Sequence, residues 1–317
     1  MATSGNKRET VYSEEELLGR AAWYYYHDGL TQNEIGERLG ISRVKVSRIL
    51  ERGRRLGLIE VRVNSPEEGC FALETALEKA FDLREVRVIP ELSGADSIDR
   101  ISQCAAQFLM SRLQEADLLA VGWGEMVVRV LQRLTRKMSI LDASVVSLTG
   151  GVSAYMEGIG NGAATATVHL TPAPLVVSTQ EIRDILSNEK SVQDILAMAI
   201  TANFALVGVG AANKNASLVR SGYVAQSEME LYRRQGAVGD ILGNFFDIDG
   251  NVVDMPLHDR IVGTNLTALQ DIPHVIGAAV GDTKIEAILG ALRGKHINTL
   301  LTDEPTAAEL IKGRNAR

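Results

Sequence analysis

The sequence predicts an α/β protein in two parts, a small N-terminal winged helix-turn-helix domain followed by a larger Rossmann-like domain. Three observations carry this. Capped helical segments fill residues 13–55, with a dense basic run in the last of them. A Pro-, Gly- and acid-rich stretch, "NSPEEG" from Asn64 to Gly69, then interrupts the patterning. Beyond residue 84, short Val/Ile/Leu runs alternate with amphipathic helices, as in a parallel sheet covered on both faces. The expected domains are therefore 1–64 and 65–317.

Residues 1–12 form a polar tail. Ser13 is placed to cap a first helix whose opening acids, Glu14 to Glu16, favour the positive end of the helix dipole. Leu17, Leu18, Ala21, Ala22 and Tyr25 follow at helical spacing, and Gly29 ends the pattern. The cluster "AAWYYYHDGL" reads as core and subunit-facing aromatic packing, with Trp23 and Tyr25 the expected buried members, in preference to a base-stacking platform. Thr31 and Glu34 make a capping box for the second helix. Gly40 permits a tight turn, Ser42 caps a third helix to about Arg55, and "LIEVRV" alternates like a wing strand.

Ile35 and Leu39 can meet Val46, Ile49 and Leu50 across that turn, the seam of a helix-turn-helix. The third helix then presents Arg43, Val44, Ser47 and Arg48 outward, with Lys45 at the margin. Arginine can bond guanine O6 and N7 in pairs, Val44 can touch a thymine methyl, and Ser47 accepts either partner. Arg52, Arg54 and Arg55 suit phosphates, and so does the start of the second helix with Gln32. Ser42, at the head of the third helix, completes the candidate DNA-binding set. The net charge of −7 excludes a protein that binds polyanions over its whole surface, so this local patch must carry the contact.

In the larger domain the expected strands are "EVRVIP", "DLLAVGWG", "SVVSLTGG", "APLVVS", "NFALVGVG", "VIGAAVG" and "INTLLTD". Ligands of such sheets lie beyond the carboxyl ends of the strands. There "VGWGE" offers Gly122 and Gly124 to an anion, and "SLTGG" offers Thr149, Gly150 and Gly151. "GAVGD" supplies the Asp240 carboxylate for sugar hydroxyls, and "VGDTK" supplies Lys284 at a helix start. Amides, a cation and a carboxylate together suit a phosphosugar.

Enzymatic function is poorly supported. The five histidines are scattered without an acid–base pair, His169 reads as a packed residue, and "GVGAAN" is not a dinucleotide fingerprint. Cys70 and Cys104 have no metal-ligand spacing and read as buried thiols, so neither metal nor cofactor is expected. The polar N-terminus lacks a signal-peptide core, and no run of about eighteen apolar residues indicates a membrane span; a cytoplasmic location is expected.

Several motifs recur in the order found in one family. "AAWYYYHDGLTQNEIGERLGISRVKVSRIL", "VGWGE", "SLTGGV", "TPAPL", "ALVGVG", "GAVGDILGNFFD" and "GALRGKHINTLLTDEPTA" resemble the SorC family of bacterial transcriptional regulators. "TGGVSAYMEGIG" and "VNSPEEGC" look most like its branch responsive to autoinducer-2. The resemblance implies a larger domain akin to sugar-phosphate isomerases, homotetramers, and release of operator DNA when a phosphorylated sugar binds. For that branch the implied effector is phosphorylated autoinducer-2, acting on a repressor. Regulators of polyols and other sugars, activators included, share much of the frame. The resemblance places Thr149, Gly150 and Gly151 on the glycine loop of the effector site, Pro174 of "TPAPL" beside it, and Asp240 and Lys284 on its carboxylate and lysine. The deoxyribonucleoside regulator of this family forms a Schiff base through a lysine beside the glycine pair. This chain has Thr149 there and no lysine from Val145 to Ile182, so reversible, noncovalent binding is expected.

Overall fold

The computed structural model describes residues 12–59, 68–91, 96–151 and 167–314. Contacts divide the chain into two compact units, Met1–Ser65 and Pro66–Arg317.

The first unit holds three helices, α1 (Glu14–Tyr26), α2 (Gln32–Leu39) and α3 (Arg43–Arg55). Each begins where a side-chain oxygen takes up an amide that the helix cannot satisfy itself. Ser13 accepts from Glu16, Ser42 accepts from Lys45, and Thr31 with Glu34 closes a capping box. Gly40 adopts the left-handed conformation (φ 69°) that ends α2. Leu17, Ala21, Ile35, Leu39, Val46 and Leu50 form the buried core, with Ile49 packed against it. At Gly36 a Cβ would sit 2.7 Å from the Ile41 carbonyl oxygen, so the close crossing of α2 and the turn requires glycine. The aromatic cluster corrects the expectation: Trp23 is 57% and Tyr25 37% exposed, while Tyr24 turns inward under the Arg38 guanidinium. Most of the expected wing strand, residues 60–63, lies outside the described residues.

In the second unit α4 (Glu68–Phe81) leads into a seven-stranded sheet, and every pairing in it is parallel. Its strands are β1 (Glu85–Ile89), β2 (Leu118–Val121), β3 (Ser144–Ser147), β4 (Val168–His169), β5 (Phe204–Gly208), β9 (His274–Ala278) and β10 (Thr299–Asp303). The spatial order is β1-β10-β9-β5-β2-β3-β4. Successive strand residues feed opposite cores, which is why the strands read as unbroken apolar runs. Leu119, Val121, Leu206 and Ile276 pack with α5 (Ser97–Arg112) and α6 (Glu125–Ile140). Ala120, Ala205, Val207 and Leu300 pack with α4 and with helices Ile285–Arg293 and Glu304–Arg314. Cys70 is buried and Cys104 half-buried, its thiol pushed up to about 11 by burial.

Two expectations fail locally. "APLVVS" is no sheet strand; its pairing is a single antiparallel bridge, Val176 to Ile261. Pro172 and Pro174 have no N–H to give a ladder, and the edge position is taken by Val168–His169 instead. Asp240, expected beyond the carboxyl end of a strand, lies on a strand itself, β7 (Gly239–Ile241), which pairs antiparallel with β6 (Gly210–Ala211) and β8 (Asn244–Phe246). Leu242 and Gly243 turn that hairpin with φ of 56° and 81°. Leu-Gly lacks the Asn-Gly signal that marks such turns in a sequence.

Candidate effector cavity and DNA-reading helix

On α3, Arg43, Val44, Lys45 and Arg48 are exposed and Ser47 is half-buried, while Val46 and Leu50 fasten the opposite face. The 3.6-residue period separates the two sets, leaving a polar ridge with one apolar tip, Val44. Ser42 spends its hydroxyl on the Lys45 amide, 3.2 Å away. Gln32 opens α2 and borders a surface groove with Tyr25, Thr31, Asn33 and Arg43. Arg52 donates to Glu14 at 2.8 Å, tying α3 to α1.

In the larger unit a cavity of about 230 Å³ opens at the carboxyl ends of the adjacent strands β9, β5 and β2. Gly124, Asp240 and Lys284 line it, brought together from three expected segments. Gly124 starts α6 with φ 122° and no side-chain cap, so the first amides of the helix face the cavity end uncovered. Asp240 is 6% exposed and accepts from the Gly243 amide at 3.1 Å. A Cβ at Gly210 would overlap its carboxylate, so the glycine makes room for the charge. Lys284 donates to the Val209 carbonyl at 2.9 Å.

The electrostatics follow from that burial. Burial pushes the Asp240 carboxyl up to about 6, against the Gly243 hydrogen bond and the charge of Lys284. Burial lowers the Lys284 ammonium; Asp240 and Glu125 oppose this, whereas Arg220 adds to it. Between the ordinary carboxyl value and about 6, the folded chain therefore holds a proton on Asp240 that the unfolded chain has released. Stability from this group falls as pH rises through that window. Asp240→Asn, which keeps the acceptor, should remove the fall and melt higher than wild type above pH 6, by on the order of 2 kcal/mol. Parallel melting profiles of the two proteins from pH 4 to 7 would refute the assignment.

The other expected residues stand elsewhere. Gly122 packs behind the wall, donating to the Leu206 carbonyl at 2.9 Å, with Leu242 where a side chain would be. Thr149, Gly150, Gly151 and Pro174 form a separate cluster at the end of β3. Gly150 lies against the Ala173 and Pro174 carbonyls, Gly151 donates to Ala173, and Thr149 bridges to Gly263. None of these five is among the residues lining the cavity. Much of the motif after Gly151, residues 152–166, lies outside the described residues.

The sequence reading missed polar residues that do line it: Glu125, Asn213, Asn215, Ser217 and Arg220. Four of them fall in "ANKNASLVRSG", which carries no motif and gains its position only through β6 and the short helix Ser217–Arg220. Among the described residues no cluster suited to a metal ion occurs, and no helix is long and apolar enough to cross a membrane.

Comparison with known proteins agrees with this architecture. Residues 65–312 match the Sugar-bind family of sugar-binding domains, and residues 22–69 match the MarR family. The transcriptional regulator LsrR of Enterobacter sp. (strain 638) is 46% identical over 302 residues, covering 94% of each chain. LsrR of Escherichia coli (strain K12) is 47% identical over 302 residues, 94% of this chain and 95% of its own. The full-length sorbitol operon regulator SorC from Klebsiella pneumoniae superposes with a TM-score of 0.67 at 27% identity, covering 95% of this chain and all of its own. Each of these relatives is named as a regulator, of transcription or of an operon. A DNA-reading head joined to a sugar-binding domain, shared across nearly the whole chain with these proteins, means that the chain belongs to the SorC family of sugar-responsive transcriptional regulators.

Proposed function

We propose that the protein is a repressor released from its operator by a phosphorylated sugar, with phosphorylated autoinducer-2 the favoured effector. Residues 1–64 would read DNA, through Gln32, Ser42, Arg43, Val44, Lys45, Ser47 and Arg48. Residues 65–317 would bind the effector and assemble a homotetramer. The observation that supports this best is the cavity itself: a buried carboxylate and a half-buried ammonium line it together with the uncapped start of α6. The carboxylate can accept from sugar hydroxyls, while the cation and the helix amides can hold an oxyanion. Lys284 is already bonded to the Val209 carbonyl, which favours a reversible ionic contact over a covalent one. Thr149 to Gly151 and Pro174 would contribute through the neighbouring loop cluster.

Release needs only differential affinity. A ligand that binds the off-DNA state more tightly shifts occupancy, and about 1–3 kcal/mol of coupling is typical. The test is operator binding by the full chain, titrated with a panel of phosphorylated sugars and polyols that includes phosphorylated autoinducer-2. The expected result is release at the lowest concentration by phosphorylated autoinducer-2, and none by its unphosphorylated form. Release by a polyol phosphate alone would reassign the effector. Operator binding that no phosphosugar changes would sink the reading.

A further inference from the structure

The cavity contains an anion of its own. Glu125, the first residue of α6, and Arg220, the last of the short helix Ser217–Arg220, both line it and face each other at 3.7 Å. Their side chains are 45% and 60% exposed, so the pair stands in water and is weak. Arg220 also donates to the Ser217 hydroxyl at 3.3 Å, and both residues line the cavity. Glu125 has a second cation: Arg129, one turn further along α6, donates to it at 2.8 Å. Arg129 in turn donates to Asp96 at 2.9 Å, and Arg133 donates to Asp99 at 2.7 Å. Glu125 is thus the inner end of an alternating charge chain that runs out along α5 and α6. It can lose Arg220 and remain paired.

Arg220 has no such second carboxylate among the interactions found for it. Asp240 and Lys284 each favour the charged form of the other, so part of the lysine's charge is already answered and an incoming phosphoryl dianion gains from a further cation. Among the described lining residues Arg220 is the cation that remains. A guanidinium binds phosphate oxygens in a fork of charge-assisted hydrogen bonds, stronger than a water-screened contact at 3.7 Å.

We propose that Glu125 is a built-in counter-anion that holds Arg220 at the cavity mouth, and that a phosphoryl group binds by displacing it. The exchange rests on the reading of this cavity as a phosphosugar site. Glu125 falls back on Arg129, Arg220 passes to the phosphate, and no bond is made or broken covalently. The carboxylate also favours the more highly charged ligand: a singly charged anion displaces it less well than a dianion does.

Inorganic phosphate is the probe, titrated by calorimetry into the full chain at low salt. Glu125→Gln should tighten binding about three- to fivefold, since the competition for Arg220 is removed. Arg220→Gln should weaken it at least about tenfold, the loss of a charge-assisted contact. In the Arg220→Gln background the gain from Glu125→Gln should shrink below about twofold, because little is left to exchange. Equal affinities for wild type and Glu125→Gln would overturn the proposal. So would an undiminished gain in the double variant, which would reveal plain repulsion, and so would phosphate binding to none of these proteins. If phosphate behaves as expected but no phosphosugar releases the operator, the exchange stands and the effector reading falls.

Discussion

Arg48→Ala is expected to weaken operator binding at least about tenfold while leaving effector affinity unchanged, because a paired arginine–guanine contact contributes about 1–3 kcal/mol. Arg48 is exposed on the face of α3 opposite Val46 and Leu50, so truncation removes no core contact. The loss should be selective, reducing preference for the operator over unrelated duplex. Arg54→Ala is the contrast. That side chain suits a phosphate, so it should weaken all duplexes alike and reduce the salt slope by about one. Gel-shift titrations at two salt concentrations separate the two patterns. Normal operator affinity in Arg48→Ala would move the reading face off this ridge.

Lys284→Ala should leave operator binding intact and abolish induction, with effector affinity down about ten- to a hundredfold. The ammonium is half-buried, bonded to the Val209 carbonyl, and lies near the buried Asp240. Without it the Asp240 carboxyl moves still further up, toward its neutral form, which accepts more weakly from a hydroxyl than the carboxylate does. Lys284→Met fills the same space without charge and should behave alike, which separates loss of charge from loss of packing. Calorimetry with the effector found by the panel, beside operator gel shifts, reads both halves. Unchanged ligand affinity in both variants would remove Lys284 from the site.

The parts legible in the sequence are those set by neighbours in the chain. Ser13, Thr31 with Glu34, and Ser42 are caps because the amides they satisfy lie three residues away. The seam of α2 and α3 is legible for the same reason, as a short turn and a period of 3.6 define it. Trp23 and Tyr25 went wrong where consecutive aromatics step around a helix. Each residue turns by about 100°, and packing against the buried core of the head, with Arg38 over its ring, decides that Tyr24 faces in.

The sequence by itself determined the helical head, its outward arginines, the parallel sheet, and the presence of Gly124, Asp240 and Lys284 near strand ends. Only the tertiary structure decided which of those ends meet. The order β9-β5-β2 brings Lys284 and Gly124 to one cavity with Asp240 from the β7 hairpin, and sets Thr149 to Gly151 in a separate cluster at the end of the next strand, β3. It also delivers Glu125 and Arg220, 95 residues apart, to within 3.7 Å of each other. Strand order depends on which apolar faces bury one another across the whole sheet, and that long-range choice leaves no periodicity in the sequence.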